Sequence, residues 1–125
     1  MVIDGKDMAY EMDGRTYHCA LDVSMSFIGG KWKSVILWYL RTGPKRFSEL
    51  KRLVPAITEK MLSLQLKELE ADGIIQRQVF AEVPPRVEYS FTEFGQSMIP
   101  MLEAIADWAG RSGRQPRRGC WLTHE

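Results

Sequence analysis

Two helix signals meet across a tight proline-containing connection, and a two-stranded hairpin pattern follows at once; no other feature constrains this chain so much. The first helix is expected over residues 48–54, with Ser48 as its N-cap and Leu50, Leu53 and Val54 facing inward. Pro55-Ala56 breaks it. Thr58 then caps a helix from Glu59 to Ala71, and Glu59 places a negative charge at the positive end of the dipole. Gly73 is a stop signal. Beyond it, Ile74 to Ala81 is rich in β-branched and apolar residues and reads as a strand; Glu82-Val83-Pro84-Pro85 interrupts it, and Arg86 to Phe91 alternates as the returning strand.

Helical phasing assigns the two faces of the second helix. With Leu62 as the inward direction, Leu66 and Leu69 fall within about 40° of it, whereas Lys60, Ser63, Leu64 and Lys67 lie at least about 100° away. Gln65 flanks the inward side. The leucine stripe requires a core, and the opposite face offers cations and a hydroxyl. That face suits contacts to phosphates and bases, and it also suits an ordinary solvated surface.

The flanking segments complete the reading. Cys19 to Ile28 fits a helix carrying Leu21, Met25 and Ile28, with Val23 and Phe27 beside them, stopped by Gly29-Gly30. Lys31 to Arg41 fits another, with Trp32, Val35, Ile36, Tyr39 and Leu40 on one buried face, and Thr42-Gly43-Pro44 ends it. After the hairpin, Thr92 caps a helical region reaching about Ala109, which Pro100 splits near the start of its second part. Residues 1–17 lack sustained periodicity and are expected to form an arm, residues 18–110 the domain, and residues 111–125 an Arg- and Gly-rich tail. Helix, helix, short helix, helix, hairpin, helix is the order of a winged helix-turn-helix: an α+β fold with a three-helix core, a β-hairpin wing and additional helices at both ends.

Charge is unevenly placed in a chain whose net charge is only +1. Residues 31–60 hold eight basic side chains against Glu49 and Glu59, while residues 1–30 and 61–125 are both net acidic. A basic middle segment is a footprint for a polyanion or the solvated face of a helix. Other classes are disfavoured. No apolar run approaches the ~18 residues of a membrane span, and the acidic, polar start MVIDGKDMAYEMDG does not resemble a signal peptide. Two cysteines, Cys19 and Cys120, are too few for a secreted disulfide scaffold, which points to a reducing cytoplasm. His18 and His124 with these cysteines lack zinc-ligand spacing, and no nucleophilic triad or phosphate loop stands out; neither enzyme nor cofactor is expected. Trp32, Trp38, Tyr39, Phe47, Phe91 and Trp108 are expected in the core and at a subunit interface.

From Cys19 through Trp108 the chain resembles the HxlR-type winged-helix regulators, related to the MarR group. The resemblance rests on Cys19 itself, IGGKWK at Ile28 to Lys33, Arg46-Phe47-Ser48-Glu49-Leu50, ITEKMLSLQLKELEADGII at Ile57 to Ile75, EVPPRVEYSFTEFG at Glu82 to Gly95, and Asp107-Trp108. It implies a homodimeric repressor or activator that binds duplex DNA at a pseudo-palindromic operator, dimerises through its N- and C-terminal helices, and is often tuned by thiol-reactive or electrophilic signals. On that reading Thr58, Glu59, Lys60, Ser63, Leu64 and Lys67 are the groove candidates. Lys31, Lys33, Arg46, Ser48 and Lys51 are the phosphate candidates, and Arg86 stands at the wing, where it either enters the minor groove or pairs with Glu82 or Glu88. The rival readings are a winged-helix module that binds protein and a small-molecule sensor. The resemblance makes Cys19 the sensing thiol; a thiol at a helix N-terminus has its thiolate favoured by the dipole, and the plainer role is a small buried hydrophobe. Some members of that family switch through an intersubunit disulfide, which suggests Cys19 of one protomer pairing with Cys120 of the other.

Overall fold

Leu62, Leu66 and Leu69 lie at the centre of the protein in a computed structural model, which describes residues 10–12 and 14–111. They belong to α4 (Glu59–Ala71), capped by the Thr58 hydroxyl, which accepts from the Met61 N–H at 3.0 Å. The stripe packs with Ile36, Leu37 and Leu40 of α2 (Lys33–Leu40), Leu50 of α3 (Phe47–Leu53), and Val54, Ile57, Ile74 and Ile75. No polar or charged residue is buried among the described residues. Cohesion therefore comes from apolar burial and interdigitated packing.

Before this core come two short strands, β1 (Tyr10–Met12) and β2 (Arg15–Tyr17), and a helix, α1 (Ala20–Ile28). The strands fall inside the segment expected to be an arm. The sequence Asp13-Gly14 is a hairpin signal, and Gly14 takes a φ of +77° that its missing Cβ permits. After α4 the wing is formed by β3 (Ile75–Phe80) and β4 (Arg86–Phe91), antiparallel with Ile75 opposite Phe91 and Phe80 opposite Arg86. Lys45 adds an isolated bridge to β4: its N–H donates to Tyr89 O at 3.0 Å and its carbonyl accepts from Tyr89 N–H at 2.8 Å. This bridge, for which the sequence carries no visible signal, seats the start of α3 against the wing.

Two expectations about α3 are corrected. Its N-cap is Arg46, not Ser48, which sits exposed in the first turn. The Glu49 carboxylate reaches back to accept the Arg46 N–H at 2.8 Å, and so starts the helix earlier. Leu53 is also partly exposed, at 39%, because Leu50 and Val54, four apart, define the inward direction and Leu53 falls to its side. On α1, Leu21 and Met25 share the expected face with Ile28, yet only Ile28 is buried; Leu21 is 68% and Met25 47% exposed.

The chain then turns through α5 (Glu93–Gln96) into α6 (Ile99–Arg111), with Pro100 in the first turn of α6, where its missing donor costs no hydrogen bond. Thr92 clasps this turn to the end of α4. Its hydroxyl donates to Gly73 O at 2.6 Å and accepts from Gly95 N–H at 2.9 Å, and its own N–H donates to Ile74 O at 3.0 Å. Gly95 sits so close that a Cβ there would collide with the Ile74 carbonyl oxygen. Thr92 and Gly95, singled out above as motif residues, are thus structural: they join the α4–β3 corner to the C-terminal helices.

Leu66→Ala is expected to cost roughly 2–5 kcal/mol by cavity formation, while Lys60→Ala, at an exposed position, stays within about 0.5 kcal/mol of the parent. Denaturant unfolding of both variants checks this, and the reverse order would show the helix phasing to be wrong.

Candidate nucleic-acid interface

Seating the leucine stripe in the core turns the other side of α4 outward. Thr58, Glu59, Lys60, Leu64 and Lys67 are exposed there, Leu64 at 46%, and Ser63 is half-buried. Neither Lys60 nor Lys67 makes a hydrogen bond or ion pair with any described residue. Gln65, flanking the inward side, is half-buried and points its amide at the Met61 sulfur, 3.2 Å away. Thr58 and Glu59 hold the helix start, so the positive end of the dipole and the two free ammoniums lie along one element.

The other cations divide into free and committed groups. Arg46 is exposed at the start of α3, and Lys31 is exposed beside the Trp32 ring, 4.8 Å from its centroid. Lys33 meets Glu68 of α4 at 2.6 Å with its side chain only 14% exposed. Its ammonium therefore braces α2 against the back of α4 instead of standing free in solvent. Lys51 donates to Pro55 O at 3.1 Å and closes the α3–α4 turn. Ser48 is exposed on α3.

On the wing, Arg86 lies over the Phe80 ring, 4.0 Å from the centroid, and is held between Glu82 at 3.2 Å and Glu88 at 3.6 Å. Both carboxylates named as alternative partners are thus engaged with it. Every residue of the loop beyond, from Ala81 to Pro85, is exposed. Two cations that the sequence reading passed over, Arg52 of α3 and Arg77 of β3, are exposed and without an ion-pair partner among the described residues. For Arg77 the signal was available: four successive exposed residues, Gln76 to Val79, mark a strand wetted on both faces, as a projecting wing is.

Cys19 is the N-cap of α1, half-buried and outside any disulfide among the described residues, while Asp22 occupies the first turn and accepts the His18 N–H at 3.0 Å. Cys120 lies outside the described residues, as do residues 112–125 of the tail expected over 111–125; Arg111 is the last residue of α6. Trp108 of α6 is 65% exposed, whereas Phe91 is buried and Trp32, Trp38, Tyr39 and Phe47 pack partly buried against the core.

Known proteins share this arrangement. A family described as HxlR-like helix-turn-helix matches residues 27–116. The chain is 48% identical over 101 residues to an uncharacterized HTH-type transcriptional regulator, YkvN of Bacillus subtilis (strain 168), covering 81% of this chain and 86% of that protein. Among solved structures it is similar to the redox regulator HypR in its reduced form, with a TM-score of 0.71 and 46% identity over 74% of this chain and 91% of that one. The reduced form of the transcriptional regulator YodB from B. subtilis aligns with a TM-score of 0.66 and 38% identity over 72% of this chain and 88% of its own.

Proposed function

Because the chain belongs to the HxlR-like helix-turn-helix family of transcriptional regulators, we propose that it binds duplex DNA as a homodimer, with α4 in the major groove and the wing alongside. The observation that carries this reading is the outward face of α4, where Lys60 and Lys67 stand exposed and unpaired opposite a fully buried leucine stripe. A major groove admits one helix, and the helix before it sets the angle by lying across the backbone. Thr58, Glu59, Lys60, Ser63, Leu64 and Lys67 are the groove residues in this reading. Lys31, Arg46, Ser48 and Lys51 take phosphates, with Arg52 and Arg77 added to them. Lys33 acts through its brace to Glu68. Arg86 at the wing must exchange a carboxylate partner for the DNA. We place the protein in the cytoplasm; no helix among the described residues is long and apolar enough to cross a membrane.

The dimer is assigned to α1 and α6. Leu21, Met25, Ile105 and Trp108, all exposed in the single chain, supply the apolar surface. A two-fold axis there sets two α4 helices about 34 Å apart, one turn of duplex, which calls for a pseudo-palindromic operator.

If about six phosphates are neutralised per dimer, log K falls against log salt with a slope near −5. Lys60→Ala lowers affinity across sequences and flattens the slope by about one per protomer. Electrophoretic or fluorescence titrations over a salt series measure both, and a flat response in the parent protein sinks the DNA reading.

HypR is named a redox regulator, and YodB is described in a reduced and a diamide-treated form, which supports a thiol switch here. In it, Cys19 of one protomer and Cys120 of the other lose two protons and two electrons to an oxidant and form one disulfide, which requires their Cα atoms within about 7 Å. Non-reducing electrophoresis after mild oxidant is expected to show a covalent dimer that disappears in both Cys19→Ser and Cys120→Ser. A band that survives in either variant rules this pairing out.

A further inference from the structure

Leu64 is the only large apolar side chain that α4 exposes, and nearly half of it meets solvent. The dimer assigned to α1 and α6 would cover Leu21, Met25, Ile105 and Trp108, but it does not involve α4. A single exposed leucine is common on protein surfaces and by itself says little. Its position says more. Counting along α4 at about 100° per residue, Lys60 and Lys67 fall within about 60° of Leu64, one turn before it and one turn after. Both lysines are exposed and without an ion-pair partner among the described residues. Their places on the helix are about 10.5 Å apart along its axis, with Leu64 between. The outward ridge of α4 thus reads cation, branched apolar tip, cation.

We propose that Leu64 is a specificity-determining residue that reads the C5-methyl group of one thymine in each half-site of the operator. This rests on the DNA reading, in which the outward ridge of α4 faces a major groove about 12 Å wide. The two ammoniums reach for the phosphate walls, and Leu64 is left over the floor, where the base edges lie. Adenine, guanine and cytosine present hydrogen-bonding groups there, and thymine alone adds a methyl. A leucine set over a purine edge takes N7 and its neighbour out of water without replacing their hydrogen bonds, which costs affinity. Set over thymine, it removes two apolar groups from water at once, which gains affinity.

The neighbouring polar groups do not compete for that base. Gln65, whose amide is the type suited to adenine, turns it to the Met61 sulfur at 3.2 Å. The Thr58 hydroxyl is engaged in the cap, accepting the Met61 N–H at 3.0 Å. The leucine stripe on the opposite side of α4 is buried, so the rotation that aims Leu64 outward is set by the core and not by the ligand.

The test selects an operator from a random duplex pool with the full chain, then replaces each thymine of that operator in turn by 2′-deoxyuridine. The replacement removes the C5-methyl and leaves base pairing and the groove donors and acceptors in place. One thymine per half-site is expected to lose about fourfold in affinity, the worth of one buried methyl-sized group, and the pair of half-sites about fifteenfold together. Leu64→Ala is expected to bind the operator more weakly than the parent and to bind its thymine and deoxyuridine versions equally, with an unchanged circular dichroism spectrum. Leu64→Gln serves if the alanine variant does not fold. Lys60→Ala, a phosphate contact, weakens both versions alike and keeps the fourfold difference. An operator in which no thymine methyl matters overturns the role of Leu64. So does a deoxyuridine penalty that persists undiminished in Leu64→Ala, because the methyl is then read by another group or through the shape of the duplex. Failure to bind any duplex sinks the DNA reading and Leu64 with it, whereas operator binding indifferent to deoxyuridine sinks the role of Leu64 alone.

Discussion

The burial of Leu62, Leu66 and Leu69 against α2, α3 and β3 is the interaction on which the rest of the structure depends. Three leucines on one face of a thirteen-residue helix leave α4 a single rotational setting about its axis. Any other rotation exposes apolar surface worth roughly 1.5–3 kcal/mol per leucine. The same packing that holds the core therefore decides which side chains α4 presents outward. The helix needs no other device to aim Lys60 and Lys67.

Position along the fold, as distinct from rotation, is fixed by polar contacts at the corners. Lys45 and Tyr89 exchange two backbone bonds and tie the start of α3 to the wing. Thr92 and Gly95 fasten the α5 turn to the α4–β3 corner, with no room for a side chain at Gly95. Lys33 and Glu68 brace α2 against α4. These contacts make one unit of α2 to β4 and leave α1 and α6 at its edge, with their apolar residues half covered. Exposed leucine, isoleucine and tryptophan on two neighbouring terminal helices are unfavourable for a lone chain in water. A second copy seated on α1 and α6, as proposed, would cover that surface.

Cations on this surface serve two ends that composition cannot separate. Lys33, Lys51 and Arg86 are occupied within the protein, by Glu68, by Pro55 O and by Glu82 with Glu88. Lys60, Lys67, Arg52 and Arg77 have no ion-pair partner among the described residues. An occupied cation must break a contact to meet a phosphate, whereas a free one gives up only water and counterions. The free set therefore weighs most in an electrostatic footprint; Arg52 was counted in the basic segment 31–60 and Arg77 was not, and neither was singled out as a contact residue.

By itself the sequence determined the order of elements from α1 onward, the Thr58 cap, the Gly73 stop, the extent of α4 and β4, and the inward leucine stripe. Each of these is encoded within a turn or two of chain, where periodicity, capping and missing backbone donors act locally. Tertiary structure alone decided the rest. Arg46 replaced Ser48 as cap because Glu49 reaches back and Tyr89, forty-odd residues away, pairs with Lys45. Leu21 and Met25 stayed exposed because nothing among the described residues covers their side of α1. Lys33 found Glu68, and Arg86 found Glu82, Glu88 and Phe80, because folding places an α2 side chain beside α4 and folds the wing back on itself. Charge and hydropathy say what a side chain can do; the neighbours that folding brings to it decide which of those things it does.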